Sequence, residues 1–199
     1  MANNKFFFRI FKRMFDICFS IILLPFFFTI ILFLFFLNPL FNKGSVFFIQ
    51  KRMGKDCIGF NTIKFRTLED ITSDNNCCEE SVKEKRIYKL GMFLRKTHID
   101  ELPQILNVLK GDMSLIGPRP EYFLHAQYYI ENIKDYKFRH NIKPGISGLS
   151  QIRLGYARGI KETEKKTVID AYYIKNAGFI LDTKIFFGTI LEILRRSGV

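Results

Sequence analysis

Tryptophan is absent from the 199 residues, although 23 of them are phenylalanine. Acidic residues are few: 19 Asp and Glu stand against 31 Lys and Arg, a formal charge of +12. With 48% hydrophobic and 25% charged residues, the chain is not of the disordered class. A cation excess of this size points to an anionic partner: nucleic acid, an anionic membrane face or phosphorylated substrates. Cysteine is limited to Cys18, Cys57, Cys77 and Cys78, with no CxxC and no histidine at metal-site spacing. The vicinal pair Cys77–Cys78 cannot form an ordinary bridge without strain. The four therefore read as reduced thiols in a cytoplasmic setting, not as a disulfide framework or a zinc site. Neither GxxxxGK[ST] nor GxGxxG occurs, so no nucleotide-binding loop of those kinds holds a phosphate. Internal repeats and low-complexity linkers are also missing, and the length allows one domain of ordinary size with an appendage.

What is present begins with "ICFSIILLPFFFTIILFLFFL", residues 17–37, apolar apart from Ser20 and Thr29. That is long enough to cross a hydrocarbon core of about 30 Å as a helix. It is long for a signal-peptide core and "LNPLFNKG" lacks a small-residue cleavage site, so it is expected to be retained. Pro25 removes a backbone hydrogen bond inside the run and predicts a kink. Lys5, Arg9, Lys12 and Arg13 precede the run; Lys43, Lys51, Arg52 and Lys55 follow it. A straight crossing would leave one basic set outside, against the positive-inside rule. A helix that bends at Pro25 and returns keeps both sets inside, with Asp16 and Asn38 at its interfacial ends. The plainer alternative is a single crossing with a tolerated proline.

Beyond this run, "SVFFIQ" (45–50) and "GFNTIKFRT" (59–67) read as a β-hairpin whose turn is "KRMGKDCI". Alternation in the second strand sets Lys64 and Arg66 on the face opposite Ile63 and Phe65, as an anion grip or as a solvated face. Residues 69–85 are polar and aperiodic and read as a loop leading into a short helix. Leu102, Ile105, Leu106 and Leu109 follow helical spacing up to Gly111. A helix is expected from Pro120, with Phe123, Ala126, Ile130 and Ile133 on one face. Residues 141–159 read as a glycine-rich loop in which Tyr156 and Arg158 could touch a sugar or base. Two further helices are expected, one over 163–177 and one from Asp182 that buries Phe186, Ile190, Ile193 and Leu194. The fold class is α+β and mostly α: a small β-hairpin with amphipathic and globular helices lying against a membrane.

The chemistry concentrates in "RKTHIDELPQ", residues 95–104. Asp100 is expected as helix N-cap, with Pro103 in the first turn where a missing N–H is harmless. A carboxylate held ionised by a helix N-terminus suits a cap. It also suits a nucleophile that attacks phosphorus, with the helix N-terminus binding the phosphate. Lys64, Arg66, Arg95, Lys96 and Arg119 supply cations for a diphosphate. In "GPRP" (117–120), Pro118 and Pro120 stiffen the backbone that presents Arg119 for bidentate phosphate contact; a turn starting the next helix is the plainer reading. His98 is expected as a helix-start residue with a satisfied ring.

"QKRMG…GFNTIKFRT", "LRKTHIDELPQILNVLKGDMSLIGPRPE", "KPGISGLSQI" and "DAYYIKNAGFILDTKIFFGTI" together resemble, in order and over nearly the whole chain, the motifs of the bacterial sugar transferase family. These are the monotopic phosphoglycosyl transferases acting on polyprenyl phosphate, and this length with one hydrophobic segment is similar to the minimal members. The resemblance implies a re-entrant membrane helix over 1–42, kinked at Pro25, and a catalytic domain over 43–199. It implies a place on the cytoplasmic face of the bacterial inner membrane. It implies transfer of a sugar 1-phosphate from a UDP-sugar to polyprenyl phosphate with release of UMP, ahead of downstream glycosyltransferases. Asp100 would be the nucleophile, forming a phosphosugar–aspartyl intermediate. Magnesium would bridge Asp100 and the diphosphate. Glu101 would move a proton or support the magnesium. Arg95 and Arg119 match the family's phosphate-binding arginines, and Lys64 and Arg66 its basic strand motif. Three places depart from the family pattern: Leu24 stands where Ser is frequent, Cys57 lies near a usual second turn Gly, and "IRLGYARG", which bears on sugar choice, is less typical. A membrane-anchored basic binding module without catalysis is the competing expectation. The sequence carries no RNA-binding signature, so nucleic acid is not expected as a partner.

Overall fold

The apolar run dictates the first element. In the computed structural model, which describes residues 2–41, 44–68, 89–155 and 159–195, α1 (Ala2–Phe41) is a 40-residue helix. Among the described residues it is the one helix long and apolar enough to cross a membrane, over Phe6–Asn38. Helix continues on both sides of Pro25, whose carbonyl accepts a hydrogen bond from Thr29 Oγ1 at 2.9 Å.

The rest of the chain docks along this helix instead of hanging from its end. Phe8 meets Phe179 edge-on at 5.2 Å, and Lys12 pairs with Asp182 at 2.6 Å. Asp16 accepts the Leu115 N–H at 3.0 Å, Phe27 stacks on Phe65 at 6.0 Å, and Asn38 donates to the Gly44 carbonyl at 2.7 Å. Asp16 and Asn38 are both buried, so each is satisfied by the protein itself.

β1 (Phe47–Met53) and β2 (Gly59–Phe65) form the expected antiparallel hairpin, with Lys51 opposite Asn61 and Phe48 opposite Lys64. Strand β1 runs three residues into the expected turn, because Met53 is buried against Ala126, Ile133 and Tyr136. The turn shrinks to Gly54–Ile58, closed by Gly54 N–H to Ile58 O at 2.9 Å. The expected loop over 69–85, with Cys77 and Cys78, lies outside the described residues, as do Tyr156 and Arg158.

α2 (Lys89–Lys96) leads through a short turn to α3 (Gln104–Lys110), which ends on Gly111 at φ 99°, a left-handed cap open to glycine. Arg13 of α1 donates to the Val108 and Leu109 carbonyls at 2.6 and 3.0 Å, a cation at the negative end of α3. Asn107 clamps α3 to β2, accepting the Ile63 N–H and donating to the Asn61 carbonyl.

The glycine-rich stretch is more ordered than its composition predicts. β3 (Ser114–Ile116) pairs in parallel with β4 (Gly145–Ser147), and α5 (Leu149–Leu154) follows. Three-residue strands carry too little alternation to be read from sequence. Here the pairing rests on close backbone approach: a Cβ at Gly145 would lie 2.1 Å from Gly117 N. α4 (Phe123–Asn132) starts three residues after Pro120, and α6 (Gly159–Asn176) packs on α5. α7 (Phe179–Leu194) holds Asp182 in its first turn. Ile185 is buried and Phe186 packs against the same core as expected, whereas Ile190, Ile193 and Leu194 are exposed, against expectation. That apolar stripe faces a cavity and the surface, not a core.

Candidate active site

The chain reverses at His98, whose φ of 56° is left-handed, and enters a 3-10 turn over Ile99–Glu101. The N–H of Leu102 bonds to Ile99 O, that of Ile105 to Leu102 O and that of Leu106 to Pro103 O, so the turn runs almost directly into α3. Asp100 is therefore not the N-cap of α3. It lies within the preceding turn, Pro103 occupies the cap position, and no side chain caps either element. The helix terminus was expected to keep Asp100 strongly ionised. Instead burial, followed by the neighbouring charge of Glu101, pushes its carboxyl up to about 6. Lys64, Arg119 and Arg95 pull the other way. No described residue donates a hydrogen bond to the Asp100 carboxylate.

Glu101, one residue on, has the opposite environment. Lys64 Nζ donates to Oε1 at 2.6 Å, Arg119 Nη1 donates to Oε2 at 3.0 Å, and Arg119 Nη2 also bonds Oε1. Burial alone would favour its neutral form, but the Arg119 guanidinium and the Lys64 ammonium outweigh it and hold the carboxyl well below the usual range. Glu101 thus stores two cations beside Asp100.

Arg119 is fixed through its backbone. Gly117 N–H bonds Ser147 O at 2.8 Å and Gly145 N–H bonds Pro118 O at 3.0 Å, which pins "GPRP" to the β3–β4 pair. Arg139 Nη2 donates to the Arg119 carbonyl at 2.8 Å, and Arg52 Nη1 to that of Pro120 at 2.5 Å. Arg95 stands at the end of α2, its Nε bonded to Thr67 Oγ1 at 2.9 Å. Arg66, expected beside Lys64, has its guanidinium against Gly44. The structure therefore gathers Asp100, Glu101, Lys64, Arg119 and Arg95, and sets Arg66 toward the start of β1.

A cavity of about 800 Å³ opens beside the pair. Arg52, Glu101, Arg119, Glu121, Lys166 and Glu192 supply its charged lining, and His98, kept neutral by burial, adjoins them. Phe19, Leu23 and Phe26 of α1 and Phe186, Ile190 and Ile193 of α7 line its apolar part, with Phe19 edge-on to Phe186 at 5.3 Å. Asp100 is not itself a lining residue; it adjoins the cavity through Glu101. His98 differs from expectation, since its Nε2 has no hydrogen-bond partner among the described residues. Residues that sequence reasoning did not weigh are Glu121, Arg139 and Lys166, and Arg52 was weighed only as a membrane-flanking charge. Glu121 ends the quoted "GPRPE", but nothing marks Lys166 among 31 cations.

The model of the family described as "Bacterial sugar transferase" matches residues 7–196. The chain belongs to that family. A UDP-N-acetylgalactosamine-undecaprenyl-phosphate N-acetylgalactosaminephosphotransferase of Aeromonas hydrophila is 41% identical over 187 residues, covering 94% of this chain and 44% of its own. A UDP-glucose:undecaprenyl-phosphate glucose-1-phosphate transferase of Klebsiella pneumoniae is 37% identical over 185 residues, covering 92% of this chain and 40% of its own. This chain thus spans less than half the length of those two relatives. It spans 90% of the sugar transferase EpsL of Bacillus subtilis, at 41% identity over 191 residues and 96% of this chain.

Proposed function

We propose that this protein transfers a sugar 1-phosphate from a UDP-sugar to polyprenyl phosphate, releasing UMP. The observation that carries the reading is the unequal carboxylate pair. Asp100 has a carboxylate to which no described residue donates a hydrogen bond, and it stands beside two cations that Glu101 keeps in reserve. An aspartate Oδ attacks the β-phosphorus, the bond to the oxygen bridging the α-phosphate breaks, and UMP leaves with that oxygen. An oxygen of the lipid phosphate then attacks the same phosphorus, and the Asp100 carboxylate departs. Both steps crowd phosphate charge at one point. Arg119 and Lys64 exchange part of their hold on Glu101 for phosphate oxygens as that charge arrives. Glu101 acts as a cation holder in this scheme and not as a base, because its paired carboxylate stays ionised.

Asp100, whose carboxylate takes no hydrogen bond from a described residue, would hold magnesium together with substrate phosphates; one or two protein carboxylates are usual for this ion. No group of three or more His, Cys, Asp or Glu among the described residues forms a protein cage. When bound, magnesium would supply charge neutralisation at the diphosphate.

A re-entrant α1 on the cytoplasmic face of the inner membrane completes the proposal. Contacts with the body extend from Phe8 to Asn38. That stretch would be about 45 Å long if straight, against a hydrocarbon core of about 30 Å. A straight crossing would put one docked end on the far side. A helix that bends at Pro25 keeps both ends and the body together, at the plane where a soluble UDP-sugar and a lipid phosphate meet. Downstream glycosyltransferases would then extend the product.

The test is a panel of UDP-sugars assayed for UMP release with polyprenyl phosphate and magnesium, for wild type and Asp100→Asn. Release by the wild type alone is expected; equal release by both sinks the nucleophile assignment. For topology, single cysteines near positions 4 and 44 are labelled from outside the cell. Reaction at either end overturns the re-entrant arrangement.

A further inference from the structure

Beside the carboxylate pair, the same cavity wall carries a second charge cluster that the scheme above leaves unused. Residues 119–121 branch three ways: Arg119 to Glu101, the Pro120 carbonyl to Arg52, and Glu121 to Lys166. Arg139 stands behind Glu121 at 3.7 Å and pairs with buried Asp170 at 2.8 Å. The Lys166 and Arg139 charges outweigh burial and hold Glu121 at about 2, so it is a permanent anion. Arg52 also lies close enough to influence both Glu121 and Lys64, which makes the two clusters one continuous wall.

Lys166 is the informative member. It is only 9% exposed, yet its side chain lines the cavity. An ammonium carries three donors. Glu121 takes one, and among the described residues Lys166 Nζ makes no other hydrogen bond. Burying donors without partners is unfavourable unless a ligand completes them. A lysine held by one carboxylate, with two N–H groups left over on a cavity wall, fits a phosphate oxygen as a point charge.

Resting on the transferase reading, we propose that Lys166, flanked by Arg52, is a second phosphate seat in this cavity, separate from the Arg119–Lys64 seat at Asp100. Two seats on one wall match a reaction that handles two phosphorus centres at once. The ligand is a phosphate group carried either by the departing nucleotide or by the lipid acceptor. Glu121, Arg139 and Asp170 are positioning residues: they hold the ammonium at the wall and do not touch the ligand.

The experiment compares wild type, Lys166→Arg, Lys166→Met and the charge-balanced double variant Lys166→Met/Glu121→Gln. It reads KM for the UDP-sugar, KM for polyprenyl phosphate and inhibition by UMP. Loss of a charge-assisted contact corresponds to roughly 10- to 100-fold. A rise of that size in KM for the UDP-sugar, with equally weakened UMP inhibition, upholds the seat and assigns it to the nucleotide. A rise confined to polyprenyl phosphate upholds it and assigns it to the lipid. Lys166→Arg should keep most of the affinity. Unchanged constants in either Met variant, folded by its melting curve, overturn the proposal. Wild-type protein gives an independent measure that requires no variant to fold. UMP, inorganic phosphate and polyprenyl phosphate vesicles are each tested for slowing amine acetylation at Lys166, read by mass spectrometry. Protection by any of them supports the seat; no protection by all three contradicts it. Failure of the transferase reading would appear separately, as a wild type that releases no UMP.

Discussion

The charged and the apolar linings of the cavity are built on opposite principles. At and behind the charged lining, three carboxylates have their cations in place before any substrate arrives: Glu101 with Lys64 and Arg119, Glu121 with Lys166, Asp170 with Arg139. In its apolar part, α1 and α7 present Phe19, Leu23, Phe26, Phe186, Ile190 and Ile193, whose environment the protein only half supplies. A pre-paired wall can exchange one anion for another with little desolvation penalty. An apolar wall left open gains free energy only when apolar surface covers it. Under the proposed function, the phosphates belong to the charged lining and the lipid chain or the bilayer to the apolar lining, with Asp100 adjoining the cavity through Glu101.

The largest expected effect falls on Asp100 itself. Asp100→Asn should lower UMP release by roughly 10³-fold or more, as removal of a nucleophile does, with melting behaviour intact. Next comes the support of the charged wall. Arg139→Met leaves Asp170 buried without its cation, and losing one partner of such a pair costs about 3–5 kcal/mol; thermal inactivation should move sharply downward. Glu101→Gln releases Lys64 and Arg119 from their shared anion. A loss of roughly 10- to 100-fold in kcat/KM is expected for charge-assisted contacts, and full activity would show that the reserve of cations is not used.

The pH response sharpens the contrast between the adjacent carboxylates. Asp100 sits at about 6, so its nucleophilic form is lost as pH falls through 6. A single-turnover burst of UMP without acceptor should weaken as pH falls through the Asp100 range, and magnesium held by Asp100 should shift that fall to lower pH. Because Glu101's charge contributes to that elevation, Glu101→Gln should move the midpoint to lower pH. The smallest effect belongs to the apolar wall. Ile190→Ser should raise KM for polyprenyl phosphate about 5- to 12-fold, in line with about 1–1.5 kcal/mol of lost apolar contact, and leave the donor burst unchanged. A donor-side defect there would break the division of labour between the walls.

The sequence made much of this legible. The hairpin, the helix spacing up to Gly111 and the Asp-Glu pair are local patterns, and local patterns survive folding. What it hid is non-local. The β3–β4 pairing depends on glycine backbones meeting across 28 residues. The left-handed turn at His98 moved Asp100 out of the cap position. The roles of Lys166 and Arg139 arise from elements that meet only in the folded chain, and no single cation among many identifies itself. The stripe on α7 was correctly apolar but assigned to a core, because periodicity cannot distinguish a core from a cavity or a membrane face.

The most direct test of the central claim is intact and peptide mass spectrometry after mixing the protein with a UDP-sugar and magnesium, without lipid acceptor. A sugar-phosphate adduct is expected on the peptide carrying Asp100, discharged by polyprenyl phosphate and absent from Asp100→Asn. Sustained turnover by the wild type with no adduct, or an adduct on another residue, would contradict that claim.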